Sequence, residues 1–373
     1  MFRTLLRHAG SALLALTMAS TLLGGTAGAA GSGGGGAVYV ETNTGANAIV
    51  VFNRATDGTL TEVGAVPTGG AGTNAALGSQ GAVILSADGD HLYAVNAGSN
   101  EISSFAVSPD GLGLELVDLQ SSRGLMPISL TLHGDVLYVL NALGLGNIVG
   151  FRVADDGTLT SLSGSKRKLS APLSNPAQVQ FNPSGTVLMV TEKGTRLIDT
   201  FPVDENGVAG PLTTTRSSGL EPFGFAFDPA GNAIVSEAFA GAPGRSAVSS
   251  YAVGDAAEVK VVSASVPNRQ TAACWVVITA DGRFAFVSNT GSGNVSSYAI
   301  ADGGQLSLDE AVSAKTGKGS APTDMDLDGA GHLYVLASGF GMVRGFAVGS
   351  GGELSAITKA GALPPSATGL AAR

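Results

Sequence analysis

The sequence holds one cysteine, Cys274, one tryptophan, Trp275, and four histidines in 373 residues. A lone cysteine excludes an internal disulfide, so the fold must stand on packing and hydrogen bonds. Charged residues make up only 13% of the chain. No apolar run after residue 30 approaches the ~20 residues that a membrane-spanning helix needs. Bases are the scarcer charge: 20 Lys and Arg against 29 Asp and Glu, a net charge of −9. That balance disfavours nucleic acid and anionic membrane surfaces as partners. No His, Cys and acid spacing fits a metal, and Gly69-Gly70 and Gly144-x-Gly146 lack the strand-then-helix setting of a phosphate loop. No metal and no cofactor are expected.

Residues 1–29 read as a signal peptide. Arg3 and Arg7 form a positive start, Ser11 to Leu23 an apolar stretch too short to span a bilayer, and Ala27-Gly28-Ala29 a cleavage signal. Residues 30–36 read as a Gly/Ser-rich linker. The remainder, 37–373, is then expected in the periplasm or outside the cell as a soluble monomer without a membrane anchor.

What the sequence does have is glycine, 55 residues, and a repeat. Seven [Ile/Val]-x-x-[Phe/Tyr] elements recur: Ile49/Phe52, Ile102/Phe105, Ile148/Phe151, Ile198/Phe201, Val248/Tyr251, Val295/Tyr298 and Val343/Phe346. Their aromatics stand 53, 46, 50, 50, 47 and 48 residues apart. Each unit reads as four strands: in the last, Pro322 to Leu327, His332 to Leu336, Val343 to Val348 and Glu353 to Thr358. Asp57-Gly58, Asp88-Gly89, Asp156-Gly157 and Asp281-Gly282 supply the tight turns. A four-stranded unit with this period is a propeller blade. The predicted fold is therefore all-β: a seven-bladed β-propeller with four antiparallel strands per blade. The start, Ala37 to Val40, matches a second strand; the end, Thr368 to Ala372, matches a first. Pairing the two in one blade closes the ring and removes its open edge.

In such a blade the turns between strands two and three share one face, the mouth, with the blade-to-blade loops. The turns between strands one and two lie on the other face. His91, His133 and His332 fall there as exposed turn residues, and His8 belongs to the expected signal peptide. A histidine base, a Ser-His-Asp triad or a Cys-His pair at the mouth is thereby disfavoured. At the ends of the second strands stand Thr42, Asn96, Asn141, Glu192, Glu237, Asn289 and Ala337. Asn there caps a turn by bonding to local backbone. Glu192 and Glu237, on adjacent blades, either do the same work or form a carboxylate pair that shares a proton or activates a water. Asn96, Asn141 and Asn289 are also candidates for substrate binding, together with Lys193, Arg269, Gln270, Gln178, Phe223, Trp275 and Asp324. Arg and Gln suit a carboxylate or carbonyl, and Trp275 is either a stacking wall or blade packing. Cys274, with no base nearby, reads as an inert buried thiol. Three loops are long enough to decorate the mouth: Thr68 to Gln80, Lys166 to Asn175 and Phe239 to Ser246.

The phrases Ser86-Ala87-Asp88-Gly89-Asp90-His91-Leu92-Tyr93-Ala94-Val95-Asn96 and Thr279-Ala280-Asp281-Gly282-Arg283-Phe284-Ala285-Phe286-Val287-Ser288-Asn289 resemble the lactonase family of seven-bladed propellers. That family includes phosphogluconolactonase-type hydrolases and carboxymuconate-lactonizing enzymes. The resemblance implies metal-free lactone chemistry at the channel mouth, with Glu192 and Glu237 as acid and base and Lys193 or Arg269 binding an anion. Two functions follow as expectations: a secreted lactone or ester hydrolase, or a non-catalytic propeller that presents its loop face to a protein, a glycan or a small ligand.

Overall fold

The computed structural model describes residues 35–373. The expected signal peptide and all but the end of the linker lie outside the described residues. Seven four-stranded antiparallel sheets follow one another along the chain. The first blade is made of Thr368–Ala372, Gly36–Glu41, Ala48–Arg54 and Leu60–Pro67. The second blade begins with the strand Val83–Leu85, the third with Pro127–His133, the fourth with Pro176–Phe181, the fifth with Pro222–Phe227, the sixth with Ala273–Ile278 and the seventh with Pro322–Leu327. These are the innermost strands, and each touches those of the two flanking blades, so the ring is closed. Only the third blade is irregular: its outer edge is split into Leu159–Ser161 and Arg167–Lys168. The described residues contain two short 3-10 turns, Phe239–Gly241 and Ser338–Phe340, and no longer helix.

The repeat owes its spacing to packing. In each blade the aromatic sits opposite the same place on the second strand: Phe52 opposite Val38, Phe105 opposite Leu92, Tyr298 opposite Ala285. All seven aromatics are buried, and each is worth about 1.5–3 kcal/mol of transfer free energy. Tyrosines of the second strands staple neighbouring blades. Tyr39 donates to the Gly111 carbonyl, Tyr138 to Gly207 and Tyr334 to Gly58, each in the next blade's outer hairpin. Burial pushes the Tyr39 and Tyr138 hydroxyls up to about 12, so these bonds persist across ordinary pH.

The termini close the ring as expected. Val38, Tyr39 and Val40 pair with Ala372, Ala371 and Leu370, and Arg54 Nε donates to the Arg373 carbonyl at 3.0 Å.

An innermost strand leaves one edge unpaired, and that edge's N–H groups need acceptors. Side chains of the preceding blade supply them. Ser129 and Thr131 accept from Val179 and Phe181, Gln178 grips both N–H and C=O of Phe225, and Asp324 and Asp326 accept from Leu370 and Ala372. Bulges near the start of six of the seven innermost strands locally re-aim side chains along this edge.

Candidate functional site

The loop Thr68 to Gln80 does not decorate the mouth; it fills it. Ser79 Oγ donates to the Ile128 carbonyl, and Gln80 N to the Ala177 carbonyl. Gln80 crosses the channel to the sixth blade, where its amide takes the Val276 N–H at 3.1 Å and donates to the Val276 carbonyl at 2.7 Å. Trp275 Nε1 donates to the Ser79 carbonyl at 2.9 Å, and Lys193 Nζ to Gly78 at 2.5 Å. Lys193 also lies 4.5 Å from the centre of the Phe223 ring, which packs on Trp275 at 5.1 Å. Burial lowers the Lys193 ammonium to about 8. Lys193, Phe223 and Trp275 thus converge, as parts of a plug.

Below the plug a cavity of about 560 Å³ follows the channel. Its lining runs from Gln80, Gln178 and Asp324 at the plug to Ala280 and Gly329 in the turns between strands one and two. The site therefore opens on the face opposite the expected one. The histidines do lie on that face, yet none lines the cavity. His332 is buried rather than exposed. It hydrogen-bonds Asp328 at 2.8 Å, and Asp328 also pairs with Arg54 at 3.0 Å.

The polar chemistry of the cavity is concentrated on opposite walls. From the seventh blade come Asp324 and Asp326, two residues apart on one face of the strand. Asp324 accepts from Met325 N and Leu370 N, and Asp326 from Leu327 N and Ala372 N. Burial nevertheless raises Asp324 to about 8 and Asp326 to about 7, each helped by the next carboxylate along the strand. From the fourth blade, Gln178 and Gln180 face them. The Gln180 oxygen accepts from Gln178 at 3.3 Å, and its NH2 donates to none of the described residues. Asp326 and Gln180 were absent from the sequence candidates. The signal was present in Asp324-x-Asp326-x-Asp328, whose period of two puts three carboxylates on one face of a strand.

Glu192 and Glu237 are not brought into one pocket, and neither lines the cavity. Glu192 is fully buried and accepts from Ser170 N, Ser170 Oγ and Thr195 Oγ1. Asp199 shares the Ser170 N–H; burial first, then the Glu192 carboxyl, raises it. Glu237 accepts from Gly219 N, Ser249 Oγ and Ser265 Oγ, and burial raises it. Asn96, Asn141 and Asn289 are likewise buried in bonds within and between their blades. Gln270 accepts from Asn294, and Arg269 is exposed at the rim. Cys274 is buried and pushed up to about 12.

A family model described as lactonase, 7-bladed beta-propeller, matches residues 32–174 and 244–339. The periplasmic gluconolactonase of Pseudomonas aeruginosa superposes with a TM-score of 0.69, over 91% of this chain and 99% of its own, at 18% identity. A proposed 6-phosphogluconolactonase from Bacteroides fragilis gives 0.69 over 92% and 99% at 19% identity. A protein from Lactobacillus plantarum gives 0.72 over 91% and 99%, also at 19%. At such identities the likeness is one of fold. No curated protein matches the sequence.

Proposed function

The chain belongs to the lactonase family of seven-bladed β-propellers, and from that membership we propose that it hydrolyses an uncharged lactone inside the channel cavity. The observation that carries this reading is the Asp324–Asp326 pair, raised by burial toward neutral pH, facing the Gln180 amide across the cavity. Asp326 takes a proton from a water that attacks the lactone carbonyl. The Gln180 NH2 donates to the developing oxyanion. The ring C–O bond then breaks, and the leaving alkoxide takes the proton held by Asp324. One water is consumed and one hydroxy acid released. Side chains alone supply the chemistry, so no metal is required.

No Lys, Arg or His lines the cavity, while Asp324, Asp326 and Asp328 do. A phosphorylated lactone would meet carboxylates and no lining cation, since Arg54 stands behind Asp328 and is already paired with it, which favours a neutral substrate. A neutral lactone also suits the periplasmic or extracellular location expected from residues 1–29. A second reading rests on the clasp itself: because Asp324 and Asp326 hold Leu370 and Ala372, the pair serves ring closure, and the cavity only binds its ligand.

A panel of uncharged lactones, assayed with wild type, Asp326→Asn, Glu192→Gln and Glu237→Gln, decides between them. Loss of about 100-fold or more in kcat/KM for Asp326→Asn alone is the expected result. Full activity in Asp326→Asn ends the mechanism. Thermal stabilisation by a lactone that the wild type never turns over selects the binding reading.

A further inference from the structure

On the third and fourth blades the plugged face is built from five segments, 121–126, 141–147, 166–175, 192–197 and 216–220. Backbone bonds tie them side by side. Leu143 donates to Leu125 at 3.0 Å, Leu169 to Gly146 at 3.4 Å, Lys193 to Asn175 at 3.0 Å and Ser217 to Arg196 at 3.0 Å. From this surface project Leu125, Leu143, Leu145, Leu173 and Leu220, exposed by 52, 47, 52, 76 and 39%. They are half of the ten large apolar side chains so exposed among the described residues, so they are clustered rather than scattered. Among them stand five exposed cations, Arg123, Lys166, Lys168, Arg196 and Arg216. The one acid in the five segments is Glu192, which is fully buried. A chain of net charge −9 thus presents, in these five segments of the plugged face, exposed charge that is positive, with the half-buried Glu221 just past the last of them and turned to the Ala240 N–H.

We propose that this sector docks on an anionic lipid bilayer surface, with the leucines entering the interface and the cations meeting lipid phosphates. Two features favour a lipid surface over a protein partner. The leucines sit on turn tips, with Leu143 and Leu145 each followed by a glycine at positive φ, Gly144 at 71° and Gly146 at 60°, so they protrude instead of forming a flat apolar centre. The cations are interspersed with them and no exposed acid stands in the five segments, a pattern of charge that an anionic lipid surface attracts. Membrane association of this kind grows with buried apolar area and with attraction to anionic lipid. Docking by this face leaves the cavity opening, on the other face, turned away from the bilayer.

The test is co-sedimentation of the protein with vesicles of phosphatidylcholine alone and of phosphatidylcholine mixed with phosphatidylglycerol. Residues 1–34 are kept identical in every variant, so differences read the sector. The expected result is binding to the mixed vesicles that weakens with salt. It should fall about fivefold for each of Lys168→Gln and Arg196→Gln, and fall again in Leu143→Ser/Leu145→Ser, with unchanged melting temperatures. Equal binding by wild type and variants, or equal binding to both vesicle types, overturns the proposal. So does a dimer in lipid-free solution that the leucine substitutions dissociate, which would make a second copy of the chain the occupant.

Discussion

Gly224 makes room for Gln80: a Cβ at residue 224 would stand 2.2 Å from the Gln80 Oε1. In the third, fourth and seventh blades the same place carries Ser129, Gln178 or Asp324, which cap the next blade's edge. The fifth blade has no side chain there, and a residue from the far side of the ring caps the sixth blade in its stead. The plug and the glycine are one device.

Gly224→Ala should therefore displace Gln80 and strip Val276 of both its partners, at a cost of about 1–3 kcal/mol. In a Gln80→Ala background the same substitution should cost less, because the contact with the Gln80 amide is gone and that with the Cys274 carbonyl, at 2.6 Å, remains. Thermal melts of the two single variants and the double variant measure this coupling. Additive effects would disprove the pairing.

Lys193 holds the plug from the fourth blade through the Gly78 carbonyl. Lys193→Ala should loosen the segment 68–81 while leaving the blades intact. Limited proteolysis should then cut within that loop severalfold faster than in wild type, with little change elsewhere.

Asp324 and Asp326 give stability a pH dependence of definite sign. Their folded values, about 8 and about 7, lie above the unfolded value of about 3.9. The folded state thus keeps protons that the unfolded chain has released. Their stabilisation is fully present below about pH 4 and is lost as pH rises through 7 and then 8. Melting temperature should fall from about pH 4 to about pH 8 and level off above that, and Asp324→Asn/Asp326→Asn should flatten the fall. On the proposed mechanism, lactone hydrolysis should be fastest where Asp326 is ionised and Asp324 still holds its proton, between about pH 7 and about pH 8, which a pH profile of kcat/KM checks.

Removing residues 368–373 deletes the innermost strand of the first blade, its pairing with Gly36–Glu41 and the partners of both aspartates. The ring should open, with a lower melting temperature and a broader transition in calorimetry. An unchanged melt would show that the closure contributes nothing to stability.

Glu237→Ala should destabilise without touching the chemistry. It orphans the Gly219 N–H and the Ser249 and Ser265 hydroxyls, a loss of about 1–3 kcal/mol for buried donors. Urea unfolding reads the loss, and lactone turnover at a temperature well below the melt should stay at the wild-type level.

Blade number, strand order and closure were legible in the sequence, because they are local and periodic. A buried aromatic every 46 to 53 residues, turn glycines between strands, and ends that complete one blade leave little choice of topology. The site was legible only in part. Asp324, Gln178, Lys193, Phe223 and Trp275 were picked out, but which face they serve was not. That depends on where the loop Thr68 to Gln80 goes, and its course is set by contacts nearly 200 residues away, Gln80 with Val276 and Ser79 with Trp275. No period or spacing encodes such a contact. Glu192 and Glu237 stood out in sequence because Glu replaced Asn. Only the packed blades decided that hydroxyl and amide groups would surround each carboxylate and engage its lone pairs within its own blade and the connection leading into it. Net charge could not reveal the cationic sector of the third and fourth blades for the same reason: it is a sum over the chain, whereas a partner meets only the face that the fold turns toward it.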